Sequence, residues 1–188
     1  MLSIPQQYPS IKFIRPISWP EIFAIWKEGE AHQQSWKKHW EERGFDSWEQ
    51  WRKAYASPLE PEKLEWNLYK IGDPIEVFPE IYGVPSKSWV KKAYQGETTK
   101  KLKNIIDIPS VKDHPKVIDL KKNFPAKTMF TGIVSGGKII LIEGMHRACA
   151  LANWPDSTPP KSDVSIALAE WKKEIPIIGG NYKNKNNG

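Results

Sequence analysis

Lys138-Ile-Ile-Leu-Ile-Glu-Gly-Met-His-Arg-Ala-Cys-Ala-Leu-Ala152 is the stretch whose reading decides the fold. Residues 139–142 are an unbroken apolar run, which implies a buried strand. Gly144 then permits a sharp exit that a side-chain-bearing residue would resist. Ala148, Ala150, Leu151 and Ala152 suit a closely packed helix. At the start of that helix the backbone N–H groups have no intrahelical partners and the dipole is positive, so an anion fits there. Met145 and His146 offer backbone donors, and Arg147 can bond phosphate bidentately. His146 can also donate to phosphate or move a proton near neutral pH. The competing reading is a plain strand–glycine–helix junction whose His and Arg only decorate the surface.

Working outward, residues 128–135 and 138–143 read as two strands joined by a tight hairpin at Gly136-Gly137, because paired glycines accept the positive φ angles of such turns. A further strand is expected over 164–169, after the proline-rich loop 155–160. Upstream, Gly72-Asp-Pro74 marks a turn opening a short strand at 75–78, and 86–106 reads as one or two basic helices interrupted at Gly96. Pro109, His114-Pro115 and Pro125 mark loops.

Residues 18–70 read as helical. Ser18-Trp-Pro-Glu21 is a capping box whose helix runs towards Gly44; Asp46-Ser-Trp-Glu49 repeats the signal, and Pro58 ends the second helix near Tyr55. Seven of the ten tryptophans lie before residue 67. Trp36 and Trp40 share one helix face, as do Trp48 and Trp51, a spacing that favours core packing over base stacking. The short Gly44-Phe-Asp46 connection suggests a helix-turn-helix. Arg52 and Lys53 beside two bulky tryptophans are nevertheless a poor set for reading bases. The fold class expected is α+β: a small mixed sheet flanked by helices, with a Trp-rich helical N-terminal extension over 1–70, a core domain over 71–175 and a flexible tail over 176–188.

The net charge is +6, and the excess is local: residues 85–127 hold eleven lysines against four acids. Such a cluster attracts phosphates or nucleic acid, or is simply a solvated helix face. The single cysteine, Cys149, excludes an internal disulfide framework. No apolar run reaches membrane-span length, and residues 1–7 lack the blocks of a secretory signal, so a cytoplasmic location is expected. Gly132-Ile-Val-Ser-Gly-Gly-Lys138 approaches a P-loop, but Ile139 replaces the required Ser or Thr and a strand follows. His32 and His39 can share a helix face, yet no third ligand accompanies them.

Glu143-Gly144-Met145-His146-Arg147-x-x-Ala150 resembles the Asp-Gly-x-His-Arg-x-x-Ala signature of ParB-like domains and the Gly-x-His-Arg element of sulfiredoxins. The resemblance covers about residues 70–170, and its specific part is the eight-residue stretch 143–150. It implies a ParB/sulfiredoxin-like fold in which Gly144, Met145, His146 and Arg147 hold nucleotide phosphate. The expected ligand is a nucleotide (ATP, ADP or CTP) or a phosphorylated small molecule, with magnesium accompanying it. The expected chemistry is phosphoryl transfer or phosphoester hydrolysis, a nuclease included, with His146 and Glu143 as catalytic candidates and no protein metal site identified. Sulfiredoxin activity is not expected, because Met145 occupies the reactive cysteine's place and a thioether is no thiolate. Only about 35 residues follow the motif, too few for the DNA-binding domain of partition proteins. The alternative function is a non-catalytic module that binds nucleic acid or nucleotide through 85–127.

Overall fold

The computed structural model describes residues 2–183. Its strands are β1 (Ile11–Pro16), β2 (Asn67–Ile71), β3 (Lys127–Ser135), β4 (Lys138–Glu143) and β5 (Asp163–Glu170). Its helices are α1 (Trp19–Glu30), α2 (Gln34–Glu41), α3 (Trp48–Ala56), α4 (Pro74–Val77), α5 (Lys87–Ala93), α6 (Pro109–Lys112), α7 (Pro115–Lys122) and α8 (Met145–Ala152). The strands form one mixed sheet in the order β1-β2-β5-β3-β4, in which only the β3–β5 pair is parallel. The fold is α+β, as expected.

Helices cover both faces of this sheet. Successive strand residues point to opposite faces, and on β3 Phe130 packs on Phe78 at 4.5 Å between ring centres while Thr131 accepts a hydrogen bond from Trp26 Nε1 of α1 at 2.9 Å. One layer is therefore α1–α3, and the other holds the short elements from α4 to α8. The core runs between them through Ile133, Ile140, Leu141, Ile166 and Leu168, all fully buried.

The hairpin falls where the glycines put it, with Gly136 at φ 54° and Gly137 at φ 74°. Two further expectations change. The buried apolar run 139–142 leads one to expect a central or near-central strand, yet β4 is the last strand of the sheet; Tyr82 bonds its outer edge through Tyr82 N–H to Ile139 O and Leu141 N–H to Tyr82 O, both 2.9 Å. Residues 75–78 are not a strand: the Asp73 carboxylate caps Glu76 N–H at 3.3 Å, and Pro74 starts α4, where its missing N–H is no loss.

The basic stretch is less helical than read. α5 ends at Ala93, Gln95 and Gly96 take positive φ, and only one 3₁₀ turn follows at Leu102–Asn104. Pro109 and Pro115, read as loop markers, instead open α6 and α7.

Residues 1–70 are not wholly helical, since they supply β1 and β2, and β2 pairs with β5 in the same sheet. The helical run divides at Ala31, so α1 and α2 are separate helices. The capping box holds, with Ser18 Oγ accepting from Glu21 N–H, whereas the second helix is capped by Ser47 rather than Asp46. Trp26, Trp40, Trp48 and Trp51 are buried, as core packing requires.

The segment 176–183 is not a free tail. Ile178 is fully buried, Asn181 donates to Ala54 O at 2.6 Å, and Lys183 N–H bonds Arg43 O at 3.0 Å. Residues 184–188 lie outside the described ones. No helix among the described residues is long and apolar enough to cross a membrane.

Candidate functional site

The β4–α8 junction is built as the apolar run and its glycine demand. Gly144 sits at φ 96°, and α8 begins at the next residue. A Cβ there would fall 2.5 Å from Phe130 Cδ1, so both backbone and packing require glycine. The first helical bond is Ala148 N–H to Gly144 O at 2.9 Å, which leaves the 145–147 amides ahead of the ladder.

Arg147 is already engaged. Its Nη2 donates to both oxygens of Glu143, at 2.6 and 2.7 Å, its Nη1 donates to Thr128 Oγ1, and its guanidinium lies 5.0 Å over Phe130. Burial pushes the Glu143 carboxyl upward, with Arg147 pulling the other way. The Met145 side chain points inward, its sulfur accepting from Val84 N–H at 3.4 Å. Among the candidates, His146 keeps a ring directed to other elements. It lies 4.5 Å from His114 between ring centres, the rings tilted by 36°, and 5.8 Å from Trp89 of α5.

His114 is the N-cap of α7, and its Nδ1 accepts from Lys116 N–H at 3.2 Å. A neutral His114 therefore carries its proton on Nε2. Lys116 Nζ sits 4.3 Å over Trp36, and Lys92 Nζ sits 5.4 Å over Trp89. Burial, then the charges of Lys116 and Lys92 beside His114, push the His146 imidazole down to about 3. Burial with Lys92 and Lys116 also lowers His114, and burial lowers Lys116 itself. Both imidazoles are thus neutral donors and acceptors at pH 7.

The helical N-terminal layer closes over the same end of β4. Tyr55 OH donates to Ile142 O at 2.6 Å. Beside it, Arg52 and Glu30 form a buried pair, with Arg52 Nε donating to Glu30 Oε2 at 2.7 Å and Trp48 Nε1 donating to the same oxygen at 3.0 Å. Arg52 is walled by Trp51 at 4.4 Å and Tyr55 at 4.7 Å, so it cannot reach a nucleic acid.

Of the sequence candidates, Glu143 and Arg147 pair with one another, Met145 fills the core, Gly144 packs on Phe130, and His146 faces the cationic group. Sequence reading placed Lys92 and Lys116 only within the lysine-rich 85–127 stretch and missed His114 and Trp89; the local signal at His114 was His114-Pro115, a helix-opening dipeptide taken for a loop. Two surface concavities, of about 330 and 480 Å³, are lined by Trp19 to Lys63 and by Pro9 to Gly72, and neither touches 143–147. Among the described residues no group of three or more His, Cys, Asp or Glu side chains could hold a metal ion. Comparison with protein-family models, curated proteins and solved structures found nothing that matches this chain.

Proposed function

We propose that the protein binds the phosphate of a nucleotide or phosphorylated small molecule at the start of α8, and carries out phosphoryl transfer or phosphoester hydrolysis there. One observation carries the reading: the left-handed Gly144 delivers the first turn of an eight-residue helix to a neighbourhood of imidazole and ammonium groups. First-turn amides and the helix dipole favour a dianion at that position. His146, neutral and adjacent, donates a hydrogen bond to a phosphoryl oxygen and is placed to move a proton once an anion raises its affinity for one. Glu143, the other catalytic candidate, holds Arg147 with both oxygens, and its role in this reading is to fix that residue. That donor set does not fit a magnesium ion, although a nucleotide can bring one on its own phosphates.

The resemblance to ParB/sulfiredoxin-like domains agrees with this reading and rests on the eight-residue stretch 143–150 alone. A nucleic-acid module remains the rival because Lys87, Lys91, Lys92, Lys112 and Lys122 are exposed. The deciding experiment is calorimetric titration with ATP, ADP, CTP and a single-stranded oligonucleotide, with phosphate release measured with and without magnesium. Micromolar binding of a nucleotide with turnover supports the enzyme. Salt-sensitive oligonucleotide binding without turnover supports the module. Binding of neither class overturns the proposal.

A further inference from the structure

We propose that the phosphate is gripped from outside the motif, by Lys116 and His114 of α7 and Lys92 of α5 facing His146, while Arg147 serves as a structural clamp. The proposal rests on the phosphate reading above and names the groups that perform it.

The four side chains come from three helices and form one connected row. Lys92 covers Trp89, Trp89 meets His146, His146 lies against His114 with the rings tilted, and Lys116 bonds His114 through its backbone N–H while its ammonium lies over Trp36 at the far end. Among the described residues neither Lys92 nor Lys116 forms an ion pair, whereas Lys101 and Lys103 share Glu80 at 2.7 and 2.6 Å and Lys100 meets Glu97 at 3.0 Å. The basic stretch is thus divided into lysines neutralised by Glu80 and Glu97 and lysines without an ion pair among the described residues, Lys92 and Lys116 being the two whose charges act on the His146 ring. Glu30, which lies towards Lys116, already has Arg52 and Trp48 on its carboxylate.

Charge balance names the ligand class. Two ammonium groups carry two positive charges, and the two imidazoles between them add donors without charge. A phosphate monoester or terminal phosphate, at about −2 near neutrality, matches that pair; a carboxylate or chloride satisfies half of it. Arg147 by contrast has spent its fork on a nearly buried carboxylate, and moving it to a ligand would strand Glu143. The same chemistry could come from inorganic phosphate, a nucleotide or a nucleic-acid backbone, and the titrants separate these sources.

The test is calorimetry on the full chain with inorganic phosphate, ATP and a single-stranded oligonucleotide, using Lys116→Met, Lys92→Met and, as a control, Lys103→Met. Thermal melts establish that each variant is folded. Removing either ammonium should weaken phosphate and ATP binding at least about tenfold, the scale of one charge-assisted hydrogen bond, and Lys103→Met should bind as wild type. Preferential loss for the oligonucleotide would assign the row to a nucleic-acid backbone, still through these lysines. Wild-type affinity in both Lys116→Met and Lys92→Met, with tight binding retained, would overturn this inference and leave the α8 reading standing. A wild type that binds none of the three would overturn both.

Discussion

Arg147 holds Glu143 across the first turn of α8, at 2.6 and 2.7 Å to the two carboxylate oxygens, and spends its other nitrogen on Thr128. The pair spans Gly144, so it locks the chain direction at the point where the strand becomes a helix. Arg147→Ala leaves a nearly buried carboxylate without its partner. Unfolding stability should fall by about 2–3 kcal/mol at pH 7, less than for a fully buried pair because the arginine is partly solvated. The loss should be smaller at pH 5 than at pH 7, because burial raises the Glu143 carboxyl and eases its protonation as pH falls. Urea unfolding at the two pH values measures both effects, and an unchanged midpoint at pH 7 would remove the clamp from the account.

Gly144 and Gly136 both have positive φ, at 96° and 54°, but differ in what surrounds them. An added methyl at 144 meets Phe130, whereas nothing lies within 4 Å at 136. Gly136→Ala should cost about 1 kcal/mol of backbone strain. Gly144→Ala adds overpacking and should cost about 2–4 kcal/mol. Equal midpoints for the two variants in urea would mean that the junction has slack which the packing denies.

Histidine titration gives a signed pH dependence. His146 is pushed down to about 3 and His39 to about 4, chiefly by burial, and His114 is lowered as well. Each binds a proton more readily unfolded than folded, so the stability it lends is complete above the unfolded value near 6.5. That stability is lost as pH falls from there towards 3 to 4. The facing groups Lys92, Lys116, Arg43 and Arg52 sharpen the loss, while the raised Glu143 carboxyl works in the opposite sense. Denaturation midpoints should decline between pH 7 and pH 5, and His146→Gln should flatten the decline. A flat wild-type profile would contradict the burial of these rings.

Cys149 lies on the packed side of α8, and burial pushes its thiol up to about 12. In native protein it should react with a disulfide reagent far more slowly than a free thiol, since the thiolate is the reactive form. Cys149→Ser should keep nucleotide binding. Prompt labelling without denaturant, or lost binding in a folded Cys149→Ser protein, would bring the thiol back into the chemistry.

How far the sequence could be read depends on whether a feature is local. The β3–β4 hairpin, the Gly144 exit, α8 and β5 announce themselves through continuous apolar runs bounded by glycine, and each sits where it was expected. The Glu143–Arg147 pair was not read in advance, although the two residues are four apart at a helix start: Arg147 was expected on phosphate and Glu143 among the catalytic groups. β1 and β2 were not read either. β1 buries only Ile11 of its six residues and ends in a proline, the composition of a guarded edge. β2 is five residues beside strong helix signals, and its partner β5 lies almost a hundred residues later. The cationic row is harder still, because Lys92, His114 and His146 meet only after α5, α7 and α8 have packed together. No spacing rule encodes that meeting.

His146 separates enzyme from binding module. Its ring is neutral at pH 7, held between His114 and Trp89, and next to the amides that would receive a phosphoryl group. With a pKa pushed down to about 3 it is a weak base in the free protein. A dianion against Lys92, Lys116 and the two rings would cancel the charges that depress it and raise its proton affinity. Ligand binding should therefore take up protons, visible as a dependence of the calorimetric enthalpy on buffer ionisation heat. His146→Gln keeps a donor but cannot titrate. In an enzyme this change should lower phosphate release by about 10²-fold, the scale of general acid–base catalysis, with affinity nearly kept. In a binding module there is no turnover to lose and only affinity and proton uptake change. A wild type that binds a nucleotide tightly, takes up protons and releases no phosphate from ATP, ADP or CTP would retire the catalytic reading for those substrates and leave a phosphate-sensing site on α8.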